Sequence, residues 1–321
     1  MNNKDFKKYL EGKKLAKSTQ EAYLFTLNLF FKWAKTCTEH SRSMEDIQVT
    51  KPDVLRYLEY LKNRKGYQNI TLKNQLIAIN HYFTFLYQSG QIGKNPCMLL
   101  KIRGANKKYL HKIYTPEELE TLFDNYYNCF VRNFDNSHIP KNQQKQTALN
   151  HQRNAVILSV LVYQGVSTNE IDKIEIDDLD LIKATIKIRN KRTADRKLPL
   201  KAAQIGLIMF YLQNTRPQLL EYQTKESAKL FLPLPKTGNK TADSDTTKSI
   251  FKLLAKQVKT IDRNFINFAQ TRASVITHWL QTEGLRKAQY LAGHKTIAST
   301  ENYTPNNIDN LIEDINKMHP F

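Results

Sequence analysis

Apolar residues in the first third of the chain recur every three or four positions, which is the spacing of helices with one buried face. Residues 18–35 open on a Ser-x-x-Glu capping pattern and then carry aromatic and aliphatic side chains at near-helical spacing. Residues 50–65 and 70–90 repeat the pattern, the first with a proline in its opening turn and the second ending at a glycine. With a shorter helix near residues 6–10, they predict an all-helical domain over residues 1–100, although any small helical bundle would share this pattern.

The rest of the chain, residues 114–321, has a mixed pattern. A capping box formed by Thr115 and Glu118 starts a helix, residues 133–150 are polar and predict a loop, and residues 151–165 predict a buried helix. Three short alternating runs then predict strands of an antiparallel sheet: 173–180, 184–190 and 196–200. Helical spacing returns in four segments: 204–216, 247–259, 268–284 and 285–293. The predicted fold class is mainly α with a small antiparallel β-sheet, a helical N-terminal domain followed by an α+β domain.

Charge points to the class of partner. The 321 residues include 49 Lys and Arg against 30 Asp and Glu, a formal net charge of +19. Residues 1–113 hold 21 basic and 8 acidic side chains, and residues 114–321 hold 28 and 22, so the excess is concentrated toward the N-terminus. This balance favours a polyanion, with nucleic acid as the leading candidate. Anionic lipid is a weaker candidate, because the chain has no lipidation motif and no strongly hydrophobic helix face.

A basic segment, residues 101–113, joins the two predicted domains and contains no acidic residue. Its cations are Lys101, Arg103, Lys107, Lys108 and Lys112. We interpret the segment as a linker whose positive charges contact the DNA backbone. A solvated basic loop is the alternative.

Cysteine usage and the absence of targeting patterns predict where the protein acts. Cys37, Cys97 and Cys129 show neither disulfide nor zinc-ligand spacing, as in a reduced intracellular protein. The N-terminal residues lack the apolar core of a signal peptide, and no run approaches the roughly 20 apolar residues of a membrane span. The sequence therefore predicts a cytoplasmic, nucleoid-associated protein without a metal site.

The most specific patterns lie in the last sixty residues. LAGHKTIASTENYTP, residues 291–305, places Tyr303 nine positions after His294, and TRASVITHWLQTEG, residues 271–284, contains Arg272. With the preceding order of helix, three-stranded sheet and helices, these motifs resemble the catalytic domain of the tyrosine recombinases, including Xer-type and phage or transposon integrases. The resemblance spans nearly the whole chain, since the N-terminal domain and the basic segment are similar to that family's core-binding domain and linker.

The resemblance implies DNA strand cleavage without a cofactor, in which a tyrosine hydroxyl attacks the scissile phosphate and leaves a 3′-phosphotyrosyl bond. It implies that Tyr303 is the nucleophile and that Arg272 and His294 bind the phosphate. A phenol with a pKa of about 10 must be held in line with phosphorus beside positive charge, and guanidinium and imidazole donors stabilise the transition state. A packing tyrosine, a solvated arginine and a helix-terminal histidine are the alternatives.

The predicted hairpin IRNKRTADRKLPL, residues 188–200, carries the remaining candidate groups. Lys191 is the best match to the family's hairpin lysine, whose ammonium group protonates the departing 5′-oxygen. Three arginines in the same turn are predicted to contact DNA: Arg189, Arg192 and Arg196. A basic hairpin that only lies on the DNA backbone is the alternative.

Two positions depart from the family pattern. Ser167 stands where the family has its first arginine, and Ala269 stands where it has a histidine three residues before Arg272. Glu170 still matches beside the first gap. Loss of one donor aimed at transition-state charge lowers a rate by roughly 10²–10³. The hairpin arginines are the best substitutes, because Arg153 lies about 21 Å from Ser167 along the helix axis at 1.5 Å per residue.

The resemblance thus implies a site-specific recombinase that integrates or excises a mobile element. Its expected partners are double-stranded DNA, three further copies in a tetramer on two sites, and an accessory DNA-bending or directionality protein. The alternative is a catalytically impaired DNA-binding member that serves as an architectural partner of an active recombinase. An RNA-binding or regulatory helical protein is a third possibility, weakened by the lack of aromatic-rich strands and of a helix-turn-helix pattern. One apolar face in residues 306–321 predicts a helix. This helix resembles the C-terminal helix that family members dock onto a neighbouring protomer, and packing in cis is the alternative.

Overall fold

The computed structural model describes residues 3–13, 15–36, 49–104, 112–190, 195–235 and 247–304. The chain divides into two compact units, Met1–Tyr109 and Leu110–Phe321. The predicted C-terminal docking helix, within 306–321, lies outside the described residues.

The described part of the first unit is helical, as its apolar spacing predicts. Its helices are α1 (Asn3–Gly12), α2 (Lys17–Thr36), α3 (Lys51–Asn63) and α4 (Asn69–Gln88). Their apolar faces share an aromatic core, in which Phe30 lies edge-on to Tyr57 with ring centroids 5.0 Å apart and Phe6 lies edge-on to Tyr82 at 5.1 Å. Each such pair adds about 0.5–1.5 kcal/mol to the stabilisation from burial. α2 begins one residue before the predicted cap, so Ser18 lies inside its first turn.

The second unit is built around α6, a helix buried on all sides over its second half. The described helices here are α5 (Pro116–Tyr127), α6 (Lys141–Gln164), α7 (Thr168–Ile171), α8 (Ala202–Phe210), α9 (Arg216–Leu220), α10 (Thr247–Ile261), α11 (Phe268–Thr282), α12 (Gly284–Ala292) and α13 (Ile297–Glu301). The predicted capping box opens α5, since Thr115 Oγ1 accepts from Glu118 N at 3.2 Å and Glu118 Oε2 accepts from Thr115 N at 2.9 Å.

The predicted loop over residues 133–150 is wrong from Lys141 onward, where α6 has already begun. Residues 141–148 are polar and mostly half-buried or exposed, so no apolar stripe marks them as helical. Five of these eight residues are lysine or glutamine, which have high helix propensity, and they continue the helix formed by the buried residues that follow. The helix ends as predicted at Gly165, whose φ of +54° is the left-handed conformation of a glycine cap.

A small antiparallel sheet follows α7 in the order β1 (Leu179–Asp180), β2 (Thr185–Ile188), β3 (Arg196–Pro199). The first strand is shorter than the predicted run 173–180, because residues Ile176–Asp178 form a 3-10 turn. In β3 the first and third residues, Arg196 and Leu198, are buried, while the residues between and after them are exposed. Since side chains alternate between the faces of a strand, the arginine is directed to the same inner face as the leucine.

His151 makes the stability of this unit depend on pH. It is 4% exposed on α6, between the rings of Phe130 and Phe134 at centroid distances of 5.2 and 4.3 Å. Burial lowers the pKa of the imidazole to about 4, with a smaller lowering from Arg153 and an opposing hydrogen bond to the Phe130 backbone. An unfolded histidine titrates near 6.5, so the unfolded chain binds the proton more readily.

We therefore expect the contribution of His151 to be complete above pH 6.5 and to be lost as the pH falls toward 4. The loss amounts to about 3 kcal/mol of unfolding free energy at 1.36 kcal/mol per pKa unit. Urea unfolding at a series of pH values measures it, and His151→Phe should flatten the dependence. An equally steep dependence in the phenylalanine variant would contradict this assignment.

Candidate active site

Arg272 lies at the centre of a cluster of charged and aromatic side chains in the second unit. It is in the second turn of α11, a helix capped by the side chain of Asn267. Its Nη1 donates to the Gly165 carbonyl at 2.6 Å and to Glu170 Oε2 at 3.3 Å, and its Nη2 donates to the Ala292 carbonyl at 2.7 Å. The guanidinium is thus held between the ends of α6 and α12, with 14% of its side chain exposed.

The Gly-His pair forms the turn after α12. Gly293 adopts φ of +68°, which a residue without Cβ tolerates, and the chain then brings His294 beside Tyr303. The two rings are nearly parallel, at 14° with centroids 5.6 Å apart. His294 Nδ1 lies 2.9 Å from Oγ1 of the buried Thr300, which orients the imidazole. Tyr303 lies close enough to Arg272 to raise the pKa of the guanidinium, against the larger lowering by burial.

Burial and neighbouring charges set the protonation of the cluster. Burial lowers the pKa of Arg272, opposed by the charge of Glu170. Burial also lowers the pKa of His294, and the positive charges of Arg272 and Arg196 lower it further. Burial alone would raise the pKa of Glu170, but contact with Arg196 and the charge of Arg272 outweigh it and lower that pKa. At neutral pH the cluster therefore combines a neutral imidazole, one carboxylate and two guanidiniums, which is a net positive site.

The hairpin arginines separate into two environments. Arg196 is 1% exposed at the start of β3, and its Nη1 lies 2.8 Å from Glu170 Oε1. Arg189, after the end of β2, is half exposed and forms ion pairs with Asp178 at 2.8 Å and Glu175 at 2.6 Å. Two local carboxylates thus hold Arg189, whereas Arg196 belongs to the cluster around Arg272.

Neither of the two positions predicted to depart from the family pattern supplies a charged donor. Ser167 caps α7, and both its backbone N and its Oγ donate to Glu170 Oε2 at 2.8 Å. Ala269 is exposed in the first turn of α11. Among the described residues, the guanidiniums of the cluster come from Arg272 on α11 and Arg196 on β3.

The predicted DNA-contacting residues of the linker are only partly described. Lys101 and Arg103 lie at the end of the first unit. Lys112, in the second unit, forms a 2.7 Å ion pair with Glu118, and its Nζ lies over the ring of Tyr114. Predicted residues outside the described part of the chain are Lys107, Lys108, Lys191 and Arg192. Their roles stay predictions.

Sequence motifs gave no role to two residues that organise the site. Glu170 contacts both arginines, and Thr300 fixes the imidazole of His294. A Ser-x-x-Glu capping box at residues 167–170 was the available signal for the first, but it indicates a helix start and no more.

The residues that the structure describes contain no group of three or more His, Cys, Asp or Glu side chains placed to hold a metal ion. None of the helices in the described ranges combines the length and the apolar character needed to cross a membrane.

Family comparison accounts for both units of the chain. Residues 134–309 match the model described as "Phage integrase family", and residues 3–90 match "Phage integrase, N-terminal SAM-like domain". The chain belongs to the phage integrase family. The resemblance seen in the sequence motifs is thereby confirmed.

The relatives that match over most of the chain are described as tyrosine recombinases. Tyrosine recombinase XerC of Natranaerobius thermophilus is 28% identical over 277 residues, covering 85% of the integrase and 84% of the relative. The structure of XerH site-specific recombinase bound to difH substrate has a TM-score of 0.64 at 19% identity, covering 92% of the integrase and 78% of that chain. The Tn1549 transposon integrase in complex with circular intermediate DNA has a TM-score of 0.61 at 18% identity, covering 93% of each chain. These structural likenesses confirm the predicted fold class.

Proposed function

We propose that this integrase is a DNA strand-exchange enzyme whose nucleophile is Tyr303. The observation that carries the proposal is the stacking of the Tyr303 ring on the His294 imidazole, with centroids 5.6 Å apart, next to the Arg272 guanidinium. A phenol needs neighbouring positive charge to act as a nucleophile at neutral pH, and a phosphodiester under attack needs donors for its non-bridging oxygens. Arg272 and His294, which lie next to Tyr303, meet both requirements.

The proposed cleavage forms a bond from Tyr303 Oη to phosphorus as the bond from phosphorus to the 5′-oxygen breaks. The enzyme keeps a 3′-phosphotyrosyl strand. The phenolic proton of Tyr303 passes to solvent, and the departing 5′-oxygen takes a proton, for which Lys191 is the predicted donor. Arg272 offers two N–H groups in a planar fork that matches two phosphate oxygens. When the Thr300 hydroxyl donates to His294 Nδ1, the Nε2–H is left to donate to the phosphate. Attack by a 5′-hydroxyl reverses the step and rejoins the strands.

The proposed substrate is double-stranded DNA, and the proposed outcome is integration or excision of a mobile element. Net charge of +19 supports a polyanionic partner. Likeness to a transposon integrase bound to circular intermediate DNA supports the mobile-element role. We further propose a tetramer on two DNA sites, with an accessory DNA-bending or directionality protein as an additional partner.

A second candidate function is favoured by Ser167 and Ala269, which leave two family positions without a charged or imidazole donor. It is a DNA-binding protein with impaired cleavage that acts as an architectural partner of an active recombinase. Covalent chemistry separates the two candidates, because an architectural protein binds the same DNA without becoming attached to it.

The test uses a plasmid carrying the DNA that flanks the coding region. The purified protein is incubated with it in the presence of EDTA, covalent adducts are precipitated with dodecyl sulfate and potassium, and the attached DNA ends are sequenced. We expect a protease-sensitive adduct at one sequence, formed without a divalent cation and abolished by Tyr303→Phe. Tyr290→Phe, an exposed tyrosine on α12, is the matched control and should form the adduct normally.

Two outcomes would overturn the proposal. An adduct that survives in the Tyr303→Phe variant would assign another nucleophile. Sequence-specific binding in a mobility-shift assay, with no adduct from the unmodified protein, would favour the architectural candidate.

A further inference from the structure

Arg196 is a buried cation whose hydrogen-bonding capacity is incompletely used. Its Nε donates to the Leu291 carbonyl at 2.7 Å, and its Nη1 lies 2.8 Å from Glu170 Oε1. The Nη1 contact is an ion pair without good hydrogen-bond alignment, and Nη2 has no acceptor among the described residues. Because buried charged donors are almost always satisfied, these N–H groups indicate an acceptor that joins the site from outside.

The guanidinium of Arg196 lies at the same turn as that of Arg272. Arg196 donates to the carbonyl of Leu291 and Arg272 to that of Ala292, so the two arginines bind consecutive carbonyls at the end of α12, each at 2.7 Å. A Cβ at Gly293 would lie only 2.8 Å from Cζ of Arg196. Gly293 therefore serves two purposes, since it adopts the left-handed turn and leaves room for this guanidinium immediately before His294.

Glu170 explains how two like charges remain close together. One carboxylate oxygen lies 2.8 Å from Arg196 Nη1, while the other accepts from Arg272 and from the backbone N and Oγ of Ser167. The short side chain of Ser167 donates its only hydroxyl hydrogen to Glu170 in this cap and does not extend toward the arginines. Glu170 is thus free to hold a guanidinium that arrives from β3.

We propose that Arg196 is the second phosphate-binding guanidinium of this site, delivered from β3, and that Ser167 is the short residue that leaves Glu170 free to hold it. The inference rests on the proposed function, because it names a further catalytic residue of the same site. Two guanidiniums on the two sides of one carboxylate can each donate to a different non-bridging oxygen of a phosphodiester. The pentavalent transition state carries more charge on those oxygens than the ground state, so both contacts strengthen during the reaction.

The first arm of the test needs no DNA. Inorganic phosphate is titrated into the full-length protein, and the rise in melting temperature is followed. We expect Arg196→Ala to lose most of this rise. Arg216→Ala is the matched control, since this buried arginine donates only to the carbonyls of Ser227 and Lys229, away from the cluster, and it should keep the response.

The second arm measures cleavage on a nicked suicide duplex built from the sequence that the plasmid experiment maps. Arg196→Ala should lower the rate of adduct formation roughly 10²–10³-fold. A methylphosphonate at the scissile position removes the charge that the guanidinium neutralises, so the variant should recover most of its deficit on that duplex. Ser167→Arg, added to Arg196→Ala, should restore part of the rate by supplying a guanidinium from the other side of Glu170. If the role of Arg196 were purely structural, neither the methylphosphonate duplex nor Ser167→Arg would restore the rate of the Arg196→Ala variant.

Wild-type rates and a full phosphate response in a folded Arg196→Ala variant would overturn the inference. So would a deficit of equal size on the charged and the methylphosphonate duplexes, which would mark Arg196 as structural. Should Arg196→Ala fail to fold, Arg196→Lys keeps the charge but loses the planar fork, and the same comparison applies. Failure of the proposed function is distinct, because it shows as an unmodified protein that forms no adduct, and the phosphate arm then still decides whether Arg196 binds the anion.

Discussion

Arg272→Ala should lower the rate of covalent adduct formation about 10³-fold, because it removes a fork of donors aimed at the phosphate oxygens. The side chain also holds two carbonyls, those of Gly165 and Ala292, so the variant should melt at a lower temperature than the unmodified protein. Single-turnover kinetics on the nicked duplex, at a temperature where both proteins are folded, measures the rate effect.

Two further variants separate charge from structure. Arg272→Lys keeps a cation but cannot make two parallel hydrogen bonds, and it should recover only a small part of the rate. Arg216→Ala removes another buried arginine that holds carbonyls, so it should lower the melting temperature and leave the cleavage rate of the folded protein unchanged. Equal rates for Arg272→Ala and Arg216→Ala would show that the Arg272 effect is structural.

Among the substitutions considered, Glu170→Gln should cause the largest decrease in the free energy of unfolding. The substitution keeps the shape but leaves the guanidiniums of Arg196 and Arg272 close together in a buried site without their counter-ion. Removing one partner of a buried ion pair costs about 3–5 kcal/mol, because the remaining charge is uncompensated. Urea unfolding at neutral pH measures the loss.

The pH dependence of this loss identifies its cause. The pKa of Glu170 is lowered in the folded protein, so its stabilising effect is present above the ordinary glutamate pKa and is lost as the pH falls through the folded value. The stability difference between the unmodified protein and Glu170→Gln should therefore shrink at acidic pH. A matched control is Asp178→Asn, since Asp178 is buried but pairs with the half-exposed Arg189, and its cost should be smaller. A pH-independent difference would attribute the Glu170 effect to packing.

Helices with a clear apolar face or a cap could be predicted from the sequence because their signals are local. The box at Thr115 and the glycine stop at Gly165 each depend on residues within one turn. The first half of α6 could not be predicted in this way. Its residues 141–148 have no buried face of their own and are helical because the buried half that follows extends through them.

The candidate site was predictable where its residues belong to one short motif. His294 and Tyr303 are nine residues apart, and a single turn with α13 brings their rings together. The choice between Arg189 and Arg196 was not predictable from charge alone, because it depends on acidic partners distant in sequence. The alternation of side chains in β3 did indicate that Arg196 is directed inward, since Arg196 shares the inner face of Leu198.

The two predicted departures from the family pattern, Ser167 and Ala269, have different consequences for the proposed chemistry. The position of Ser167 lies beside Glu170, and Arg196 reaches the same carboxylate from the sheet. At the exposed Ala269, a methyl group cannot donate a hydrogen bond to a phosphate. The proposed site therefore relies on His294 for its imidazole.

The most direct measurement of the central claim is the identity of the residue that carries the DNA. Adduct formed on the mapped duplex is digested with protease and nuclease, and the modified peptide is sequenced by mass spectrometry. We expect a nucleotide linked through its 3′-phosphate to Tyr303 and to no other residue. A modified peptide lacking Tyr303, or a linkage through a 5′-phosphate, would contradict it.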